Sequence, residues 1–195
     1  FPCNHAVNHN NTSAMNKEIL ISADHISHYY GNYRAVDNVS FSVHRGEVLG
    51  FLGPNGAGKS TTMQMLCGVL SAGEGQITVA GHDMFDMPKV AKRNLGFLPE
   101  HPPLYQDLSV NEYLCYAAGL RGITKAEIKK AVEYSKHRCG LTNTGKRLIK
   151  NLSKGFQQRV GIAQAIIHSP AVVILDEPTS GLDPNQILEI RKLIS

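Results

Sequence analysis

Hydrophobic and polar positions alternate with a period of two in the first part of the chain. From Glu18 to Ile26 the apolar positions Ile19, Ile21 and Ala23 alternate with polar ones, which predicts a strand. Tyr29-Tyr30-Gly31-Asn32-Tyr33 predicts a turn. Ala35 to Val43 alternates again through Val39, Phe41 and Val43, and Arg45-Gly46 is the next turn. A small antiparallel β region is therefore expected. Val48 to Leu52 is a short apolar run of core-strand kind. Met63, Met65, Leu66, Val69 and Leu70 then recur at helical spacing. A strand from Gln76 to Ala80, a short helix from Pro88 to Arg93 and a strand from Leu95 to Leu98 follow. Pro102-Pro103 forbids regular structure.

The texture changes at about residue 101. Ser109-x-x-Glu112 and Thr124-x-x-Glu127 are capping-box patterns, each followed by apolar residues at helical spacing. Residues 101–150 are expected to form a helical insert between two halves of an α/β core. Leu152 to Arg159 opens a third helix. Ala171-Val172-Val173-Ile174-Leu175 has no polar interruption, which predicts a central strand covered on both faces. Asp183 is suited to cap a last helix, with Pro184 at its first position.

Between the second apolar run and the helix after it lies Gly53-Pro54-Asn55-Gly56-Ala57-Gly58-Lys59-Ser60-Thr61, the pattern G-x-x-x-x-G-K-[ST]. Strand, glycine loop and helix are the context a phosphate-binding loop needs. Glycines let successive N–H groups turn inward toward an anion, and the helix adds its positive end. Lys59 would reach the terminal phosphates and Ser60 would put its hydroxyl on Mg2+. The ligand expected is a nucleoside triphosphate. The Ala171–Leu175 strand ends in Asp176-Glu177-Pro178, acids at the end of a strand where α/β sheets hold ligands. Asp176 can hold Mg2+, and Glu177 can orient or deprotonate a water. The expected fold class is α/β, a P-loop NTPase (RecA-like) core with the N-terminal β region and the helical insert.

Composition narrows the setting. A hydrophobic fraction of 42% and a charged fraction of 18% are ordinary globular values. The net charge of +4 is diffuse, and its lysine clusters read as solvated faces, so nucleic acid is not expected as a partner. No apolar run approaches the ~20 residues that span a bilayer, and no signal pattern leads the chain, so a cytoplasmic site is expected. The four cysteines, at 3, 67, 115 and 139, form no C-x-x-C and read as reduced thiols. Residues 1–14 are polar and expected as a disordered tail ahead of Met15, which looks like a natural start.

Taken together, Gly53–Thr61, Leu152–Arg159 and Leu175–Asp183 resemble the nucleotide-binding domain of ATP-binding cassette (ABC) proteins, over about residues 18–195. The resemblance implies an ATPase with ATP and Mg2+ as ligands. It makes Tyr30 the aromatic that stacks on adenine and Gly53–Thr61 the Walker A loop. Asp176 ends Walker B, and Glu177 is the catalytic base. Ser153 and Gly155, with Gln157 in the same stretch, belong to the signature that faces the γ-phosphate of a second subunit's ATP. Asp183 becomes the D-loop acid at the dimer seam, beside its capping role. The resemblance further implies a head-to-tail dimer, peripheral on the inner face of the cell membrane. A separate integral membrane permease would dock on the helical insert around residues 100–116.

Three departures from the family pattern stand out. Glu100 replaces the usual glutamine that senses Mg2+ and the attacking water; a carboxylate can do both. The signature reads Ser-Lys-Gly-Phe where Ser-Gly-Gly-Gln is usual. With Pro99-Glu100, this is similar to single-domain ATPases paired with ABC-2-type exporters of the multidrug, sodium or gliding-motility kind. Third, the chain stops at Ser195, before the family's switch histidine, so it is expected to be a fragment, weakly active alone. The alternative function is a non-transport ABC ATPase, acting on ribosomes or as an assembly factor.

Overall fold

The computed structural model describes residues 17–194 and the backbone of residues 6–8. Strand β1 (Ala6–Asn8) falls within the expected tail, and the rest of that tail lies outside the described residues. The described chain divides into two units, one up to Leu95 and one from Gly96.

The first unit is built on a hairpin of two 12-residue strands, β2 (Ile19–Tyr30) and β3 (Tyr33–His44). The turn is narrower than the tyrosine-rich stretch suggested. Only Gly31 and Asn32 lie between the strands, with Tyr30 opposite Tyr33. Gly31 has φ +58° and leads a two-residue turn, the position where glycine is favoured. The aromatic residues prolong the strands, because flat side chains suit a half-buried pleated surface. Strands β4 (Leu49–Phe51), β5 (Glu74–Val79) and β6 (His82–Asp83) complete the unit's sheets. β5 pairs antiparallel on the other edge of β2, giving the order β3-β2-β5-β6, while β1 pairs antiparallel with β4. Ile21, Ala23, Ile26, Ile77 and Val79 supply the buried face.

Helix α1 (Lys59–Leu66) ends earlier than the apolar spacing predicted. Gly68 at φ +62° stops it. The N–H of Gly68 donates to the Met65 carbonyl and that of Val69 to the Gln64 carbonyl, the paired bonds of a Schellman end. Val69 is consequently 62% exposed instead of lying on a helix face. The short helix α2 (Pro88–Arg93) has the expected bounds.

The second unit holds β7 (Leu95–Leu98) paired with β8 (Val172–Leu175). Around them lie α3 (Val110–Leu120), α4 (Lys125–Arg138), α5 (Lys154–Ile166) and α6 (Pro184–Ile194). Helices α3, α4 and α5 contribute to one cluster with β7 and α6, through Leu98, Leu114, Val132, Val160 and Ile190. The helical insert thus shares its core with the elements after it. Two missing side chains seat α5 on β7. A Cβ on Gly96 would stand 2.2 Å from the Ala165 carbonyl oxygen, and one on Gly161 2.6 Å from Leu98 Cδ1.

Two expectations are corrected. β8 is not covered on both faces: Val173 is 40% exposed, and among the described residues β7 is its only strand neighbour. The second capping box is incomplete, because the Thr124 hydroxyl donates to Glu127 at 2.6 Å and accepts no backbone N–H. The first box is complete, with Ser109 N–H donating to Glu112 at 2.8 Å and Glu112 N–H to Ser109 Oγ at 3.3 Å.

Candidate functional site

In the first unit β4 delivers the chain into an exposed loop, and α1 carries it away. Gly56 and Gly58 have φ +81° and +82°. Gly58 caps α1 with no side-chain acceptor of its own, which suits a helix start that meets an anion. A Cβ on Gly58 would lie 2.4 Å from the Ala35 carbonyl oxygen, so β3 presses directly on the helix cap. Lys59 Nζ donates to the carbonyls of Gly53 and Pro54 at 2.8 and 2.9 Å, which draws the loop into a closed cup. The N–H of Ala57 donates to the Pro54 carbonyl at 3.3 Å across the same cup. Asn55 is exposed at its rim, and Ser60 and Thr61 follow in the first turn of α1. The fit to a phosphate group is one of shape and polarity: positive-φ glycines, a helix start and a lysine. At the turn of the hairpin, the end where Ala35 meets Gly58, Tyr30 is 50% exposed, its ring held edge-on by His28 at 4.7 Å. Tyr29 is covered by the Arg34 guanidinium at 5.4 Å, which leaves Tyr30 the freer face of the two.

In the second unit the Asp176 N–H donates to the Leu98 carbonyl at 2.9 Å, so the ends of β7 and β8 coincide. That pairing brings Glu100, Asp176 and Glu177 to one edge. Asp176 is buried at 4% exposure, whereas Glu177 is exposed. Glu177 has φ +46°, an unfavourable region for a residue with a side chain. This twist gives adjacent carboxylates different surroundings. Glu100 is 44% exposed at its side chain and has the His101 ring 3.9 Å away. Oxygen donors of this type suit Mg2+ chemically, as the Asp176 carboxylate does in this unit and the Ser60 hydroxyl in the first.

The signature residues start α5. Ser153 is its N-cap and accepts the Phe156 N–H at 3.4 Å. Gln157 donates to the Ile149 and Leu152 carbonyls at 3.3 and 3.2 Å, which fixes the loop leading into the helix. Gly155 is buried, and a Cβ there would stand 2.9 Å from Gln186 Cδ. Gln186 was not singled out by sequence; the missing side chain at Gly155 is its only signal. Asp183 caps α6 as expected, accepting the Gln186 N–H at 2.9 Å. Arg159 pairs with Glu189 and lies 5.5 Å over the Phe156 ring, bracing α5 against α6.

The sequence profile described as ABC transporter matches residues 36–180, most of the chain. The chain belongs to the ABC transporter family. It is 40% identical over 175 residues to the bacitracin transport ATP-binding protein of Bacillus licheniformis, covering 90% of this chain and 56% of that protein. It is 38% identical over 179 residues to the linearmycin resistance ATP-binding protein of Bacillus subtilis, covering 90% and 58%. A solved structure of an ATP binding subunit of an ABC transporter superposes with a TM-score of 0.76 at 31% identity, covering 90% of this chain and 73% of that one. The chain therefore spans about half the length of these curated relatives. The α/β P-loop NTPase architecture read from the motifs is the fold of this ABC family member. No described helix is long and apolar enough to cross a membrane.

Proposed function

We propose that this ABC family member is the ATP-binding and ATP-hydrolysing part of a transporter, driving a separate membrane permease. The observation that carries the reading is the division of labour along the chain. Two separate helix starts carry it: Gly58 opens α1 in the first unit, and Ser153 opens the signature helix α5 in the second. Such a chain offers half of two sites to a second copy.

In this reading Tyr30 stacks on adenine. The N–H groups of Gly53–Thr61 and Lys59 bind the β- and γ-phosphates. Ser60 and Asp176, with Glu100, would hold Mg2+, which would supply charge neutralisation at the phosphates. Glu177 accepts a proton from the attacking water; its exposure and twisted backbone leave it free to face one. Ser153, Gly155 and Gln157 present the start of α5 to the partner's γ-phosphate, with Asp183 at the seam. ATP closes the two copies head to tail, and hydrolysis reopens them. The protein would sit at the cytoplasmic face of the membrane through its permease.

The docking surface proposed for the permease is the start of the helical insert, residues 100–116. Tyr105 and Tyr116 are half-exposed there, 5.5 Å apart, on top of buried Tyr113. Burial raises the Tyr113 hydroxyl above its usual range, and the hydrogen bond that the Tyr116 hydroxyl makes to Tyr105 does the same for Tyr116. This neutral aromatic patch suits an apolar coupling segment. The Ser153-Lys154-Gly155-Phe156 signature with Pro99-Glu100 favours an exporter of the ABC-2 type, and two relatives are named for bacitracin transport and linearmycin resistance.

The test is Glu177→Gln in the full-length protein. ATP binding should persist while turnover falls by ~10^2–10^4-fold, the usual cost of losing a general base. Unchanged turnover would remove Glu177 from this role. Co-purification with ribosomes in place of a membrane protein would reverse the transport reading.

A further inference from the structure

Lys154 occupies the position where the family usually has glycine. It is the first residue of α5 and is exposed, so a freely solvated side chain is the simplest expectation. The side chain instead runs across Gly181. A Cβ on Gly181 would stand 2.1 Å from Lys154 Nζ, 3.1 Å from its Cε and 3.8 Å from its Cδ. Gly181 has φ +67°, so its missing side chain both permits the turn and opens the groove the lysine fills. Not every positive-φ glycine is crossed: Gly31 and Gly46 have nothing within 4 Å of such a Cβ, whereas Gly68 and Gly140, at helix ends, meet Lys92 and Arg159.

A mirror-image contact lies next to it. Gln186, in the first turn of α6, crosses buried Gly155, with its Oε1 3.0 Å from the position of a Cβ. Each helix thus sends a side chain over a glycine of the other segment. Between the two crossings the turn is held by Ser180 N–H donating to the Glu177 carbonyl at 3.0 Å and Leu182 N–H to the Thr179 carbonyl at 3.3 Å.

We propose that Lys154 is a positioning residue that straps the D-loop turn to the head of the signature helix. Ser153 and the turn around Gly181 then meet the partner copy's nucleotide as one piece. The proposal rests on the shared-site reading above. It assigns the lysine to alignment within its own subunit and not to phosphate binding.

The experiment uses the full-length protein with K154G, G181A and the double substitution. Hydrogen exchange is read first, without nucleotide. K154G should speed exchange of the Ser180 and Leu182 amides by roughly threefold or more, as a local opening made easier. Unchanged exchange overturns the strap. ATP turnover is read second. K154G should lower kcat about tenfold with KM changed less than about twofold, the pattern of lost alignment. A raised KM at unchanged kcat overturns the proposal by assigning the lysine to phosphate. The loss caused by G181A should be smaller in the K154G background than in the wild type, since the two share one contact. Equal losses overturn it. If the wild type turns over no ATP, the shared-site reading fails, and the exchange measurement still decides the strap.

Discussion

At Gly58 the backbone φ is +82°, and the Ala35 carbonyl stands where a Cβ would go, 2.4 Å away. Gly56 has the same φ within a degree but open space around it. The two positions separate conformational strain from collision. Gly56→Ala should lose about 1–2 kcal/mol, the cost of a left-handed alanine. Gly58→Ala should lose clearly more and also weaken ATP binding, because β3 must move off the helix cap. Thermal melts and nucleotide titration of the two variants check the order; equal losses would remove the Ala35 contact from the account. A second residue-scale case is Cys139, fully buried, whose thiol burial pushes up to about 12 against the opposing pull of Arg138 and Arg159. Its unfolded value is 9.0, so the native state holds this proton longer. The stability it lends is present below pH 9 and is lost as pH rises toward 12. A thiol reagent at pH 8 should therefore modify exposed Cys115 and spare Cys139 until the protein is unfolded.

Helix α3 and helix α4 begin with the same sequence pattern but not the same structure. Ser109 and Glu112 exchange backbone bonds in both directions, whereas Thr124 spends its hydroxyl on Glu127. Ser109→Ala should therefore cost about 1 kcal/mol, and Thr124→Ala less, since no backbone donor loses its partner. Chemical denaturation at neutral pH reads both. The Glu112 carboxyl lies below its usual 4.5, held first by the Ser109 hydroxyl and then by its N–H. A depressed carboxyl contributes above its unfolded value and loses that contribution as pH falls. The difference between wild type and Glu112→Gln should accordingly narrow below pH 4.5. Element type was largely legible in the sequence because period and caps are local. α2 and β7 have the bounds their patterns predicted. The ends of α1 and the hairpin turn were less legible: a Schellman bond pair at Gly68 and a two-residue turn at Gly31 outweighed the apolar spacing around them.

Across the whole molecule, the places of the glycine loop before α1, the acids after β8 and the Ser153 start of α5 were legible because fixed motifs mark them. The contacts that steady them were not. Lys154 over Gly181 and Gln186 over Gly155 join residues that no periodicity links. The exposure of Val173 was also hidden, since a run of apolar residues states what could be covered and not what covers it. The same division explains why the proposed site should need two copies. If α5 of one copy completes the phosphate cup of another, two separately inactive full-length variants should restore each other. Lys59→Ala spoils the cup and leaves the signature; Ser153→Arg spoils the signature and leaves the cup. Each alone should be nearly inactive. Mixed in equal amounts, half the dimers pair unlike copies, and each such dimer has one intact site. Activity should then recover to about a quarter of wild type if the two sites turn over independently. A mixture no more active than the two variants measured apart would mean that each copy uses its own signature helix. The head-to-tail arrangement, and with it the role given to the strap at Lys154, would then have to be abandoned.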